Sequence, residues 1–284
     1  MDKWVIVRPI WDDITVYSCR WAEEIASILR ERGALVADLA ERPVSREELE
    51  KILREHPEAC VGFWDHGSED CLWGGDGVKV LDLSNCELLA NREVFTMACL
   101  SAAKLGVEVW NRGGKYWGYI EEFSFTTDSL PEFQEAANCG FHFRHVEGDT
   151  ARNALARAKA RFSELALQLA NGGKVLAAVC MRNDGDILRY YNGEAPGEGQ
   201  GCLTALLGLE IGRKLLSEAR EGLAKLKGRF IIDAPVNLFG VLVTPPISSH
   251  HHLVRRGAAE KLPSPLAIDG TFTIDESSQI YFAL

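Results

Sequence analysis

Two short apolar runs, each ending just before a polar or reactive residue, constrain the fold of this chain more than any other feature. The run CVGFW at residues 60–64 stops shortly before His66, and the run VFTMA at residues 94–98 stops at Cys99. Short runs rich in β-branched and aromatic residues are typical of strands buried on both faces of a parallel sheet. We therefore expect His66 and Cys99 at the carboxyl ends of two strands, where open α/β sheets bind ligands.

Strands and helices alternate through the first part of the chain. Apolar runs at residues 4–7 and 34–39 predict two further strands. Helical spacing of apolar residues lies between them and ends at Gly33, and Ser45 with Glu48 forms a capping box at the start of a second helix. Strands joined by helices through short links predict a parallel sheet with right-handed crossovers, so the expected fold class is α/β.

Outside this frame the sequence predicts a loop after the first strand, a helix whose first turn carries Cys99, and a long helix that ends near Gly172. A flexible linker is expected at residues 193–201, where Gly and Glu dominate. The other expectations are a loop at 8–18, a strand at 107–112 continuing at 116–125, and a hairpin of the runs 175–181 and 186–192 with an Asp-Gly turn. The linker suggests two regions: a domain at 1–195 and a C-terminal α+β extension or accessory domain at 196–284.

Composition restricts the environment and the partners. The chain has 284 residues, 46% of them hydrophobic and 25% charged, as in ordinary globular proteins. Its net charge of -10 would repel nucleic acids and anionic membranes, so we expect neither as a partner and favour a basic substrate segment. Eight cysteines without repeating spacing indicate reduced thiols, and the sequence shows neither a signal peptide nor a membrane-spanning run, so a cytoplasmic location is expected.

An HG at the end of one strand and an AC at the end of the next resembles the caspase-like (clan CD) cysteine peptidases. The stretch HGSEDCLWGG at residues 66–75 is most similar to the gingipain and CHAT branch of that clan. The caspase signature is met only in part, because Met97 and Ser101 replace its glutamine and glycine. The resemblance covers residues 1 to about 195 and implies a caspase-like three-layer sandwich around a mostly parallel sheet.

The resemblance also implies a catalytic dyad, with Cys99 as the nucleophile and His66 as the base and acid. In that family the backbone N–H groups of Gly67 and Cys99 would bind the oxyanion, and no cofactor is expected. The structural alternative is a buried cysteine and a strand-end histidine that never meet. We do not expect Cys60, Cys71 and this pair to bind zinc together, since no CxxC motif is present.

The primary substrate pocket of caspase-like enzymes is lined by the loop after the first strand and by segments flanking the cysteine and the next strand. Acidic residues in those segments would favour an Arg or Lys side chain by charge pairing. The alternative for each carboxylate is a solvated surface charge. The residues expected to line the pocket are Asp12, Asp13, Thr15, Trp73, Met97, Trp110 and Glu122.

The hypothesis from the sequence is a cytoplasmic cysteine endopeptidase that cleaves proteins or peptides after Arg or Lys and has a regulatory protein partner. Two other hypotheses stay open. One is a catalytically inactive caspase-like scaffold that binds a peptide or an effector in the same groove. The other is a different Cys-dependent hydrolase or transferase on an α/β sheet.

Overall fold

A mostly parallel sheet of six strands with helices on both faces organises the chain. The computed structural model describes residues 2–192 and three short strands further along the chain. In chain order the strands are β1 (Trp4–Arg8), β2 (Leu35–Ala40), β3 (Cys60–Trp64), β4 (Cys71–Gly75), β5 (Val78–Asp82), β6 (Glu93–Met97), β7 (Lys115–Tyr119), β8 (Ser124–Thr126), β9 (Leu188–Tyr191), β10 (Val236–Leu238), β11 (Val241–Val243) and β12 (Ile280–Phe282).

The large sheet has the order β2-β1-β3-β6-β7-β9, and every neighbouring pair is parallel except β7 with β9. The expected α/β class and the parallel crossovers are thus confirmed. In the register of β3 with β6, Trp64 lies opposite Met97. His66 and Cys99 each follow two residues later, at the same carboxyl end of adjacent strands.

The helices are α1 (Asp13–Glu31), α2 (Arg46–Glu55), α3 (Leu105–Asn111), α4 (Leu130–Phe141), α5 (Ala151–Asn171) and α6 (Val175–Ile187), and a π-helical turn, His142–Val146, follows α4. Side chains of β1 alternate between two cores, with Trp4 and Ile6 on one face and Val5 and Val7 on the other. The first core includes apolar residues of α1, α4, α5 and α6, and the second those of α2 and α3. Each large side chain buried in this way stabilises the fold by about 1.5–3 kcal/mol.

Helix α1 begins earlier than the sequence analysis predicted. Asp12 is its N-cap, and its carboxylate accepts hydrogen bonds from the N–H groups of Ile14 and Thr15. The Thr15 hydroxyl oxygen accepts one from the Asp12 N–H, which completes a capping box. The expected loop at 8–18 is therefore wrong beyond residue 12. The capping box at Ser45 is confirmed in its first half, since Ser45 Oγ accepts from the Glu48 N–H.

Three other expectations are wrong. Residues 107–112 form helix α3 and its end, not a strand, because Leu105 and Val109 pack as one helical face against the sheet. Residues 175–187 form α6, not half of a hairpin, and Asp184 and Gly185 lie inside that helix. Cys99 is followed by turns over residues 99–104, so it does not stand at a helix N-terminus.

Smaller strand pairs complete the described part. Strands β4 and β5 form an antiparallel hairpin after His66, and β10 pairs with β11. β12, from the C-terminal region, pairs antiparallel with β8. Most of the region expected at 196–284, and the linker at 193–201, lie outside the described residues. Among the described helices, none is both long enough and apolar enough to cross a bilayer.

Candidate active site

The site lies where β3 and β6 end, and both candidate side chains lie toward one face of the sheet. Cys99 continues the alternation of Phe95 and Met97, and all three belong to the core beneath α1 and α4. His66 contacts residues at the start of α1, on that same face. The folding of β3 beside β6 thus places the two residues in one neighbourhood, although they are far apart in sequence.

Asp12 orients the His66 ring. Asp12 Oδ2 lies 2.7 Å from His66 Nε2. Burial alone raises the pKa of Asp12, but hydrogen bonds from the Thr15 N–H and from His66 outweigh it, so the pKa lies below its usual value. The ionised carboxylate can only accept a hydrogen bond, which assigns the ring hydrogen of this pair to His66 Nε2. The Nδ1 atom of His66 is buried and has no hydrogen-bond partner among the described residues.

Trp11 and Asp65 form a second support for the ring. Trp11 packs edge-on against His66, with ring centroids 4.9 Å apart. The Trp11 Nε1–H group donates to both carboxylate oxygens of Asp65, at 3.0 and 3.1 Å. Burial raises the pKa of Asp65 well above its usual value. His66 is therefore held by an acid on one nitrogen and by an anchored indole on its flank.

The Cys99 sulfur is covered by the main chain of Phe123. The Phe123 N–H donates to Sγ at 3.1 Å, and Sγ lies 3.7 Å from the Phe123 carbonyl oxygen, which can accept the thiol proton. The side chain has 0% exposure. Burial raises the pKa of the thiol, and the charges of Glu122 and Asp184 raise it further. In this arrangement Cys99 is a protonated thiol.

Gly67 brings the two strand ends into close contact. A Cβ atom at Gly67 would lie 2.7 Å from the Cys99 carbonyl oxygen, so no larger residue fits there. The Ser68 N–H donates to the Cys71 carbonyl and the Trp73 N–H to the His66 carbonyl. This pattern makes Gly67 a non-hydrogen-bonded partner of β4, and its own N–H points away from that strand.

The residue after Cys99 has an unusual backbone. Leu100 has a φ of 59°, in the left-handed region that leucine rarely adopts, at a cost of about 1 kcal/mol or more. Its N–H donates to the Glu121 carbonyl at 3.0 Å, and the Ala102 N–H donates to the Tyr119 carbonyl at 2.9 Å. The turn after Cys99 is thereby fastened to the segment that follows β7.

A buried carboxylate fastens the far side of that segment. Asp184 on α6 accepts a hydrogen bond from the Ser124 N–H through Oδ1, at 3.0 Å. Its Oδ2 is buried and has no partner among the described residues. Burial raises the pKa of Asp184 well above its usual value. Consecutive N–H groups, of Phe123 and Ser124, thus bind Cys99 and Asp184.

Two of the four polar residues expected in the substrate pocket have other contacts. Asp12 is engaged by the helix cap and by His66, and Thr15 is buried within the cap. Asp13 is exposed in the first turn of α1. Glu122 is exposed and next to Phe123, so among these residues it is the acid nearest in sequence to the cover of Cys99.

The three apolar residues expected there are dispersed. Met97 is buried in the core at the end of β6. Trp73 lies on β4 close to the site, since its N–H binds the His66 carbonyl, and Lys79 lies over its ring. Trp110 packs against Tyr191, which adjoins the core on the face opposite Cys99. The structure does not bring Trp110 to the site.

Sequence reasoning missed Trp11, Asp65, Phe123 and Asp184. Asp65 precedes His66 directly and offered a signal, a charged residue at the end of an apolar strand. The sequence predicts Asp184 in the turn of a hairpin, because Asp-Gly is typical of such turns. Nothing in the sequence pairs Phe123 with Cys99, because a main-chain contact leaves no mark on residue type.

Within the described residues, no group of three or more His, Cys, Asp or Glu side chains is placed to hold a metal ion. Comparison with known proteins adds no relative: no protein-family model, no curated protein and no solved structure matches this chain.

Proposed function

We propose that the chain is a cysteine endopeptidase with a caspase-like three-layer fold, in which His66 and Cys99 form the catalytic pair. One observation carries the proposal: His66 is bound to Asp12 through Nε2, and its Nδ1 has no partner among the described residues, at the end of the strand adjacent to the one that leads to Cys99. An oriented imidazole with a free lone pair is what a general base beside a thiol requires.

The chemistry follows from these groups. His66 Nδ1 takes the thiol proton, and the Cys99 sulfur attacks the peptide carbonyl carbon. The oxyanion lies against the N–H of Gly67, which points away from β4. His66 then donates its proton to the leaving amine as the C–N bond breaks. Water, deprotonated by His66, hydrolyses the thioester and regenerates the thiol. Asp12 stabilises the imidazolium at both stages.

Cleavage after Arg or Lys belongs to the same proposal. Glu122 is exposed beside the segment that covers Cys99, and Asp13 is exposed at the start of α1. Either carboxylate can pair with a basic side chain. The seven described cysteines are all free thiols, which supports action in a reducing compartment such as the cytoplasm.

A second candidate is favoured by the burial of Cys99. A thiol with 0% exposure, a raised pKa and a main-chain cover is inert in that state. A non-catalytic domain that binds a peptide in the same groove would have this property permanently. In the peptidase, the cover must move away before the sulfur can react.

Labelling by an electrophilic substrate analogue tests the choice. We expect an arginyl peptide fluoromethyl ketone to add one inhibitor mass to the intact protein, and to add none to Cys99→Ala. Cys180→Ala is the matched control, since Cys180 is equally buried but lies on α6 and not at a strand end, and it should be labelled like the wild type. An unlabelled wild type that still binds the peptide favours the non-catalytic candidate.

A further inference from the structure

The two edges of β8 have different neighbours. In an extended strand the N–H and C=O of one residue point to the same edge, and successive residues alternate. The N–H and C=O of Phe123 both face the Cys99 sulfur. The Ser124 N–H faces Asp184 on α6. The groups of Phe125 therefore face the same edge as those of Phe123, the edge that leads to Cys99.

Strand β12 lies on that edge. Its register places Tyr281 opposite Phe125 and Phe282 opposite Ser124. Since the Ser124 N–H is taken by Asp184, the pair that exchanges hydrogen bonds is Phe125 with Tyr281. β12 thus pairs with main-chain groups of Phe125, on the same edge as the Phe123 groups that contact the Cys99 sulfur.

The direction of β12 matters as much as its position. The pairing is antiparallel, so β12 runs toward its carboxyl end as β8 is followed back toward Phe123. An extended peptide bound in the same direction would reach Cys99 with its carboxyl side, which presents a carbonyl to the sulfur. Addition of a strand to an exposed edge is a common way to bind peptides.

We propose that β12 occupies the edge of β8 along which a substrate backbone binds, so that the chain's own C-terminal strand inhibits the site. This inference rests on the proposed function for its inhibitory consequence, and on the strand pairing alone for its binding site. One edge accepts one strand, so β12 and a substrate exclude each other. A strand tethered to the same chain competes intramolecularly, which favours it over a free peptide of equal affinity at low concentration.

Proline substitutions test the pairing at single-residue resolution. In this pairing Tyr281→Pro removes an N–H that donates to the Phe125 carbonyl. Phe282→Pro removes an N–H that faces away from β8. We expect Tyr281→Pro to raise the rate of Cys99 labelling by the arginyl fluoromethyl ketone about tenfold or more. Phe282→Pro and Tyr281→Ala, which keep the bonded N–H, should label at the wild-type rate. Circular dichroism checks that all variants are folded.

A synthetic peptide of residues 275–284 provides a readout that needs no catalysis. Labelled with a fluorophore, it should bind Tyr281→Pro, raise its anisotropy and slow its labelling, and should bind the wild type at least tenfold more weakly. Equal labelling of wild type, Tyr281→Pro and Phe282→Pro, with no peptide binding, would overturn the inference and leave the peptidase intact. Selective peptide binding to Tyr281→Pro without any labelling would support the β8 edge as a peptide-binding site and would contradict the proposed peptidase activity. Neither binding nor labelling in any folded variant would overturn both.

Discussion

The two ends of β6 treat buried charge in opposite ways. At its first residue, Glu93 is 7% exposed and surrounded by partners. Arg144 Nε, His145 Nε2 and Lys115 Nζ lie 3.4, 3.3 and 3.6 Å from its carboxylate, and the Tyr190 hydroxyl donates to it. Burial raises the pKa of Glu93, but the bonds from His145 and Tyr190 and the nearby cations outweigh it and lower the value to about 2. We call this end the amino edge.

The other end, where β3 and β6 stop, is the carboxyl edge. Here His66 Nδ1 and Asp184 Oδ2 are buried without partners among the described residues. Asp65 and Asp184 have raised pKa values because burial exceeds the effect of their few hydrogen bonds. Each unpaired buried polar group costs about 1–3 kcal/mol.

The contrast teaches where this fold tolerates an energetic cost. At the amino edge the buried Glu93 carboxylate is surrounded by partners, so this ionic cluster adds stability. The carboxyl edge leaves atoms unsatisfied and keeps a leucine in the left-handed region, features that cluster at functional sites. Substitutions at the two edges should therefore separate activity from stability.

The largest effect is expected from the two buried histidines. His66 and His145 have side chains that are both 5% exposed, but they lie at opposite edges. His66→Ala should lower peptide turnover by about 10²–10⁴-fold, because it removes the general base, and His145→Ala should leave turnover unchanged while lowering the melting temperature. Combining His66→Ala with Cys99→Ala should add nothing further, since the pair acts as one unit. Comparable turnover losses in the two histidine variants would erase the distinction between the edges.

Glu93→Gln is the next largest change, and it acts on stability. Removing one partner of a buried cluster leaves cations without an anion, so the free energy of unfolding at pH 7 should fall by about 3 kcal/mol. The contribution of Glu93 is present above its unfolded pKa of about 4.3 and is lost as the pH falls toward 2. The difference between variant and wild type, measured by urea unfolding, should therefore shrink below pH 4.5.

The control is Glu48→Gln, which breaks a surface pair with Arg42 and should change stability by less than about 1 kcal/mol. A loss as small at Glu93 as at Glu48 would mean that the amino edge is not a stabilising cluster.

Asp12→Asn tests the support of the histidine. Asparagine is also a good N-cap, so helix α1 should persist, but an amide cannot stabilise the imidazolium as a carboxylate does. Turnover should fall by about 10–100-fold with little change in melting temperature. The neighbouring Asp13→Asn, exposed and free of the cap, should keep the wild-type rate for uncharged substrates. If Asp12→Asn lowered turnover only of Arg and Lys substrates, Asp12 would act in substrate binding.

The strands of the sheet were predictable because their burial on both faces leaves a continuous apolar run, as in β1, β3 and β6. The run at 175–181 has the same character yet forms α6, since periodicity alone does not separate a buried helix from a buried strand. Gly185 permits α6 to approach α5, as a Cβ there would lie 2.7 Å from Phe162. That contact is a tertiary one, and the sequence alone does not contain it.

The candidate site was predictable only in part for a related reason. His66, Gly67 and Cys99 follow strands and could be located by counting from the strand ends. Asp12 lies against His66 because β1 pairs with β3, which brings the residues that follow β1 close to those that follow β3. The sequence alone therefore predicts a substrate-binding role for the Asp12 carboxylate and does not contain its contact with His66.

The smallest expected effect is that of Asp184→Asn on the free energy of unfolding, and its pH dependence distinguishes the two edges. The raised pKa of Asp184 means that its contribution to stability is full below its unfolded pKa of about 3.9 and is lost as the pH rises through the folded value. Asp184→Asn keeps an oxygen that accepts from the Ser124 N–H and has no charge to bury. The variant should match the wild type near pH 4 and exceed its unfolding free energy by about 1 kcal/mol at pH 7. This slope is opposite to that expected for Glu93, where acid removes stability. Urea unfolding of wild type and variant at both pH values measures it, and a variant less stable than the wild type at pH 7 would show that the Asp184 charge has a partner that stabilises it.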